Sequence, residues 1–304
     1  MLIHVLDTAL PVFIALFLGI LCRRRNILSR DGVDTLKKVA VDITLPAVLF
    51  SAFASAEYTA QKLLIPLLFF VLCVAALALG LLLRRLFRIK SRLMPYLMTG
   101  FEAGMLGYGL FALLYPGQSN SGFALIDLGQ VLFVFTVYKG LLMGKGRLKE
   151  TFAEAARSPV LWAIIVGMIF GITGLYKLLQ PSGVAGNIDS VAAFVAAPTS
   201  CLILITIGYD IQLKKTPWGR VAAYTGLRLA VMGLILAAMV FVNRHILGGI
   251  MDENALLLML ILPAPYVLPI FADVEAERTD IASTLSVMTL ASLLLFSVMA
   301  AFAV

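Results

Sequence analysis

Apolar runs of about twenty residues alternate with short basic segments along the whole chain, at about 6–22, 35–54, 63–83, 93–115, 122–143, 159–179, 188–211, 218–242, 254–272 and 281–303. At 1.5 Å rise per residue, a run of this length spans a hydrocarbon core about 30 Å thick. The pattern therefore predicts an all-α membrane protein of ten transmembrane helices. Spans four and nine are poor helices. Span four places Gly100, Gly104, Gly107 and Gly109 within ten residues, and span nine carries Pro263, Pro265 and Pro269. Each glycine costs about 1 kcal/mol of helix propensity against Ala, and each interior proline removes a backbone donor and clashes with the preceding turn.

Composition sharpens this picture. Of 304 residues, 61% are hydrophobic and 13% charged, with a net charge of +7; the mean hydropathy is +1.00. Soluble domains run near 45–50% apolar and about 25% charged, so an ordinary soluble enzyme, a disordered chain and a nucleic-acid-binding domain are excluded. Basic residues collect in alternate loops: Arg23, Arg24, Arg25, Arg30, Lys37 and Lys38; Arg84, Arg85, Arg88, Lys90 and Arg92; Lys145, Arg147, Lys149 and Arg157; Lys214, Lys215 and Arg220; and Arg278. The other loops hold Lys62, Lys177 and Arg244. The positive-inside rule then puts both termini outside. The first run has basic residues after it and none before, unlike a cleavable signal peptide. Three dispersed cysteines and two histidines offer no metal-binding spacing, and no cofactor is expected.

The two halves repeat. Pro11-Val-Phe-Ile-Ala with Gly19 returns as Pro159-Val-Leu-Trp-Ala with Gly167, and Leu45-Pro-Ala has a counterpart in Ala197-Pro-Thr. Both matches sit near half the chain length. Five spans per half require the second to enter the membrane from the opposite side, as in the inverted repeats of secondary transporters. The expected units are residues 1–143, a cytoplasmic linker at 144–158, and residues 159–304.

Backbone groups freed by a break are tolerated in lipid only when buried in protein or lining a wet cavity. Glu102 and Pro263 each lie about nine residues from a span end, near 14 Å deep, so the two breaks are expected to cross at the midplane. Unpaired N–H groups there suit a carboxylate. The candidate substrate-binding residues are Gly104, Met105, Gly107, Tyr108, Gly109, Pro263, Ala264, Pro265 and Tyr266. A carboxylate at the bilayer centre costs roughly 2.5–3.5 kcal/mol or more, which makes Glu102 the first candidate for proton or ion coupling. Asp127 is either a second relay group, an outer gate or a first-turn helix acid. Arg228 either balances Asp210 or a core carboxylate, or attracts an anion. Asp42 is expected to pair with Lys37 or Lys38, and Lys139 to snorkel to the inner surface.

Several stretches together resemble the auxin efflux carrier family, which includes bacterial organic-acid permeases and plant PIN-type carriers. They are Leu10-Pro-Val-Phe with Gly19 and Arg23-Arg-Arg-Asn-Ile-Leu-Ser29, Thr44-Leu-Pro-Ala-Val-Leu-Phe50, the Ser158-Pro159 pair, and Ala282-Ser283 with Thr289-Leu290. The family's span-four pattern Asn-x-Gly-x-x-Gly-x-Pro falls on Glu102 through Gly109, with Glu102 in place of Asn and Gly109 in place of Pro. The resemblance implies a sodium/proton-antiporter-like fold, often dimeric, in which spans 3–5 and 8–10 move against a scaffold of spans 1, 2, 6 and 7. It also implies a basic residue at the place of Arg228.

The reading that follows is a plasma-membrane secondary transporter of a small organic anion, coupled to a proton or sodium, with potential-driven facilitation as the alternative. An intramembrane enzyme lacks the motifs it would need: Tyr209-Asp210 has no Gly-x-Gly-Asp partner, and neither Gly-x-Ser-x-Gly nor His-Glu-x-x-His occurs. A channel or a non-transporting receptor remains a rival, separable by counterflow.

Overall fold

The computed structural model describes residues 2–143, 156–211, 216–271 and 277–302, and these are helical with no strand. In chain order the helices are α1 (Leu2–Arg24), α2 (30–54, with a π turn at Ala40–Thr44), α3 (Leu64–Leu86), α4a (Met94–Leu97), α4b (Ala103–Leu114) and α5 (121–143). They continue as α6 (Pro159–Ile172), a short helix at Leu175–Leu179, α7 (Val184–Asp210), α8 (Trp218–His245), α9a (Glu253–Ile261), α9b (Leu268–Phe271) and α10 (Arg278–Phe302). Among these, α3, α5, α7, α8 and α10 are long and apolar enough to cross a membrane. Their outer surfaces carry exposed Leu67, Leu82, Phe194, Leu234 and Phe302, an apolar belt that water would not tolerate on a monomer of this size.

Local sequence sets several helix ends. Ser29 accepts the Gly32 N–H at 3.1 Å and caps α2; Asp252 accepts from Asn254 and Ala255 at 2.9 and 3.2 Å and caps α9a. Span six is shorter than its apolar run, because Gly174 at φ +71° follows Thr173 and terminates α6.

Helices meet where glycines let backbones touch. α1 packs along α7, with Gly19 against Ile205 and Gly208 against Leu16; α6 packs along α2, with Gly167 against Phe50 and Phe53. α3 lies against α5 through Gly129 and Pro66, and against α4a through Gly80 and Pro95. Small residues serve close helix approach in lipid, where no hydrophobic drive separates helix from tail.

Three expectations about charged side chains need correcting. Lys37 does not pair with Asp42. Its ammonium meets Asp210 of α7 and, at 3.8 Å, Asp34; Arg30 also reaches Asp210, at 2.5 Å. Asp210 thereby ties α2 to α7 and is unavailable to Arg228. Lys139 does not snorkel: it is 2% exposed. The expected linker lies outside the described residues except for 156–158.

Candidate functional site

The chain unwinds between α4a and α4b, at 98–102, and between α9a and α9b, at 262–267. The first interruption turns on Gly100 at φ +66°, a left-handed conformation that L side chains avoid. It occupies the start of the expected glycine-rich stretch. Gly104 and Gly107 belong to a π turn at Ala103–Gly107, and Gly109 is helical in α4b.

The two interruptions cross in contact. The Glu102 N–H donates to the Pro263 carbonyl at 2.9 Å. A Cβ on Gly100 would stand 2.7 Å from Pro265 Cγ, so the crossing admits nothing larger than glycine there.

Glu102, 7% exposed, joins the two stretches with its side chain as well. One carboxylate oxygen accepts the Met105 N–H at 3.2 Å and caps α4b; the other accepts the Tyr266 N–H at 2.6 Å. The freed carbonyls gather on the opposite charge. Arg228 of α8, 2% exposed, donates Nη1–H to Leu97 O at 2.7 Å and Nη2–H to Gly100 O and Leu262 O at 2.7 and 2.9 Å. Its guanidinium also lies 5.7 Å from the Phe101 ring centroid. Arg228 thus pairs with backbone carbonyls of both interruptions, and its expected balance with Asp210 or a core carboxylate is not what forms. A buried unpaired acceptor costs about 1–3 kcal/mol; one planar fork of donors satisfies three of them.

Asp127 is 2% exposed and lies in the second turn of α5, past the first-turn position that the helix dipole favours. It accepts the Tyr108 O–H at 3.0 Å and the Gln130 Nε2–H at 3.3 Å, and Gln130 Oε1 accepts the Phe101 N–H at 3.0 Å. On α10, Thr289 receives the Tyr266 hydroxyl at 2.6 Å and donates to Leu285 O at 2.8 Å. Gln130 was missed in the sequence; its signal was a lone amide three residues beyond Asp127 in an apolar run.

The predicted residues divide by exposure. Gly107, Tyr108, Pro263, Ala264 and Pro265 are buried, whereas Gly104, Met105, Gly109 and Tyr266 are half-buried. Gly104 approaches Leu45 of α2, and Gly109 approaches Ser200 of α7. Behind Pro263 a small cavity is lined by Thr225, Arg228, Met288 and Ser292. The arrangement holds one carboxylate on freed amides, one guanidinium on freed carbonyls, and a second carboxylate in hydrogen-bond contact with Tyr108.

The profile of a family described as membrane transport protein matches residues 4–153. An uncharacterized transporter of Methanothermobacter thermautotrophicus is 24% identical over 250 residues, covering 78% of each chain. An uncharacterized transporter of Methanocaldococcus jannaschii is 23% identical over 305 residues, covering 96% of each. Together with a fold of apolar helices interrupted and cross-linked in its interior, these matches identify the chain as a member of the membrane transport protein family that contains the auxin efflux carriers.

Proposed function

We propose that the protein is a secondary active transporter that carries a small organic anion, a mono- or dicarboxylate, across the plasma membrane by alternating access, coupled to a proton or to sodium. The observation that carries this reading is the pair of crossed, unwound stretches joined by Glu102 and Arg228. Unwound backbone at this depth is a cost that a purely structural helix bundle avoids, and such paired breaks mark binding sites in transporters.

An inverted repeat of five plus five helices is supported by paired features. α1 packs on α7 and α6 on α2, which is one contact seen from each half, and each uses the glycine eight residues after its proline, Gly19 and Gly167. α3 with α5 and α8 with α10 form a second such pair. Tyr108 meets Asp127 of α5, and Tyr266 meets Thr289 of α10. On this reading α1, α2, α6 and α7 are the scaffold, the surface through which a homodimer forms, and α3–α5 with α8–α10 are the moving core. Both termini face outward. The half-buried Gly104 and Gly109, which approach α2 and α7, face the scaffold and with Met105 and Tyr266 contact substrate; the buried Gly107, Tyr108, Pro263, Ala264 and Pro265 hold the crossing behind them. Asp127 is a second proton- or ion-coupling group.

A thermal-shift screen of mono- and dicarboxylates, at two pH values with and without sodium, identifies the substrate. Counterflow in proteoliposomes then tests carrier action: labelled substrate accumulates transiently against an unlabelled internal pool. Labelled substrate that only equilibrates, with no such overshoot, would indicate a pore and reject the proposal.

A further inference from the structure

We infer that Glu102 and the substrate's carboxylate compete for the same backbone amides, so that each anion enters with a proton and without sodium. This rests on the carboxylate-transporter reading and deepens it. The Met105 N–H, in the first turn of α4b, and the Tyr266 N–H, in the second unwound stretch, are donors left without a helical partner at the crossing, and both end on Glu102 oxygens, at 3.2 and 2.6 Å. The protein therefore supplies its own carboxylate where an anionic ligand would bind. With Glu102 charged, a second carboxylate would face a like charge at contact distance, which is unfavourable in a buried site. Protonation of Glu102 removes that repulsion and weakens its hold on the amides, because a neutral acid is the poorer acceptor. The substrate then takes the amides, and one proton has bound with one negative charge.

Sodium does not fit the same place. It needs a cage of oxygen ligands, and three backbone carbonyls at the interruptions, Leu97 O, Gly100 O and Leu262 O, are taken by Arg228. The guanidinium repels a second cation, and the amides at Glu102 present their positive ends. The other groups around Glu102 are Asp127, Tyr108 and Tyr138 from α4b and α5, Arg228 from α8, and Tyr266 with its partner Thr289. From α2 the apolar Leu45 approaches the adjacent Gly104. Asp127 is engaged by Tyr108 and Gln130, which leaves Glu102 as the carboxylate that meets the substrate.

The test uses acetate as the probe, since Glu102→Ala removes a fragment of about that size. The full-length protein is melted in detergent at about pH 5.5 and about pH 8, either side of the range in which buried carboxylates exchange protons. Acetate is expected to raise the melting temperature of Glu102→Ala at both pH values, and that of wild type at the acid pH or at neither. Replacing sodium by choline is expected to change nothing. Glu102→Gln, which preserves the side-chain shape, covers a failure of the alanine variant to fold: its acetate response should be equal at the two pH values. Equal acetate responses of wild type and variant at about pH 8, or a wild-type response that requires sodium, overturn the competition. If the identified substrate still binds wild type in that case, the transporter reading stands; if no carboxylate binds wild type or any variant, both fall.

Discussion

Gly19 of α1 lies so close to the Ile205 carbonyl of α7 that a Cβ on Gly19 would stand 2.0 Å from the oxygen. The two helices touch backbone to backbone, and a methyl group there must push them apart. Gly167 makes the same kind of approach to α2, with the nearest atom, Phe50 O, at 2.9 Å. Gly226 of α8 has nothing within 4 Å of its Cβ position.

Gly19→Ala is therefore expected to destabilise the fold by at least about 2 kcal/mol, within or above the usual range for overpacking. Gly167→Ala should cost less. Gly226→Ala should be neutral or stabilising by up to about 1 kcal/mol, the propensity gain of Ala over Gly in a helix. Thermal melting of the three variants in one detergent ranks them. A Gly19→Ala protein as stable as wild type would mean that α1 and α7 do not pack as described.

Arg228 is held by Leu97 O, Gly100 O and Leu262 O, which belong to two different interruptions. Arg228→Met strips three buried acceptors at once and should cost at least about 3 kcal/mol, at about 1–3 kcal/mol for each unsatisfied group. Arg228→Lys keeps the charge but offers its donors from a single nitrogen, which cannot span carbonyls arranged around a planar fork. It should fall between Met and wild type. Melting temperature and monodispersity on size exclusion measure both. Equal stability of the Lys variant and wild type would show that charge alone, not the fork, holds the crossing.

Much of this was legible along the chain because hydropathy and helix breakers act locally. The apolar runs, the Gly-rich and Pro-rich interruptions, and the outlying Glu102 are all visible as strings of residues. Arg228 was visible as an odd charge, but its partners are backbone carbonyls, which leave no mark in a sequence. The search for an acid to balance it therefore pointed to Asp210, which instead serves Arg30 and Lys37. Lys139 misled for the same reason. Distance from a span end suggests snorkelling, yet Lys139 is buried, and its stretch 139–143 packs against α9b, which is remote in sequence. The four glycines of span four look alike in propensity, and only the structure singles out Gly100, at the start of the cluster, as the one with the positive φ that breaks the helix.

Asp127, Tyr108 and Gln130 form a buried chain that ends on the Phe101 N–H. Tyr108→Phe and Asp127→Asn should therefore be non-additive. A double-mutant cycle on stability is expected to return a coupling of about 0.5–3 kcal/mol, the range for residues sharing one network. Gln130→Leu should be the most damaging single change, since it removes the partner of both Asp127 and a buried backbone amide. A coupling indistinguishable from zero would separate Tyr108 from Asp127 and leave each to act alone.

Glu277, just before α10, fastens the loop that leads into α4a. Its carboxylate accepts the Ser91 O–H at 2.5 Å and the Arg92 and Leu93 N–H groups at 3.0 and 3.3 Å. Burial pushes this carboxyl upward, but the three hydrogen bonds and the nearby Arg84 charge outweigh it and hold the group below its ordinary value. A carboxyl that binds its proton less well folded than unfolded adds stability above the unfolded value of about 4.3 and loses it as pH falls through the lower folded value. Wild type should therefore exceed Glu277→Gln in melting temperature by a constant margin above about pH 5.5, and that margin should shrink steadily toward about pH 3. The pH series measures the difference between the two proteins, so acid effects common to both cancel. A margin unchanged across the series would assign the fastening to packing of the loop and not to the carboxylate's charge.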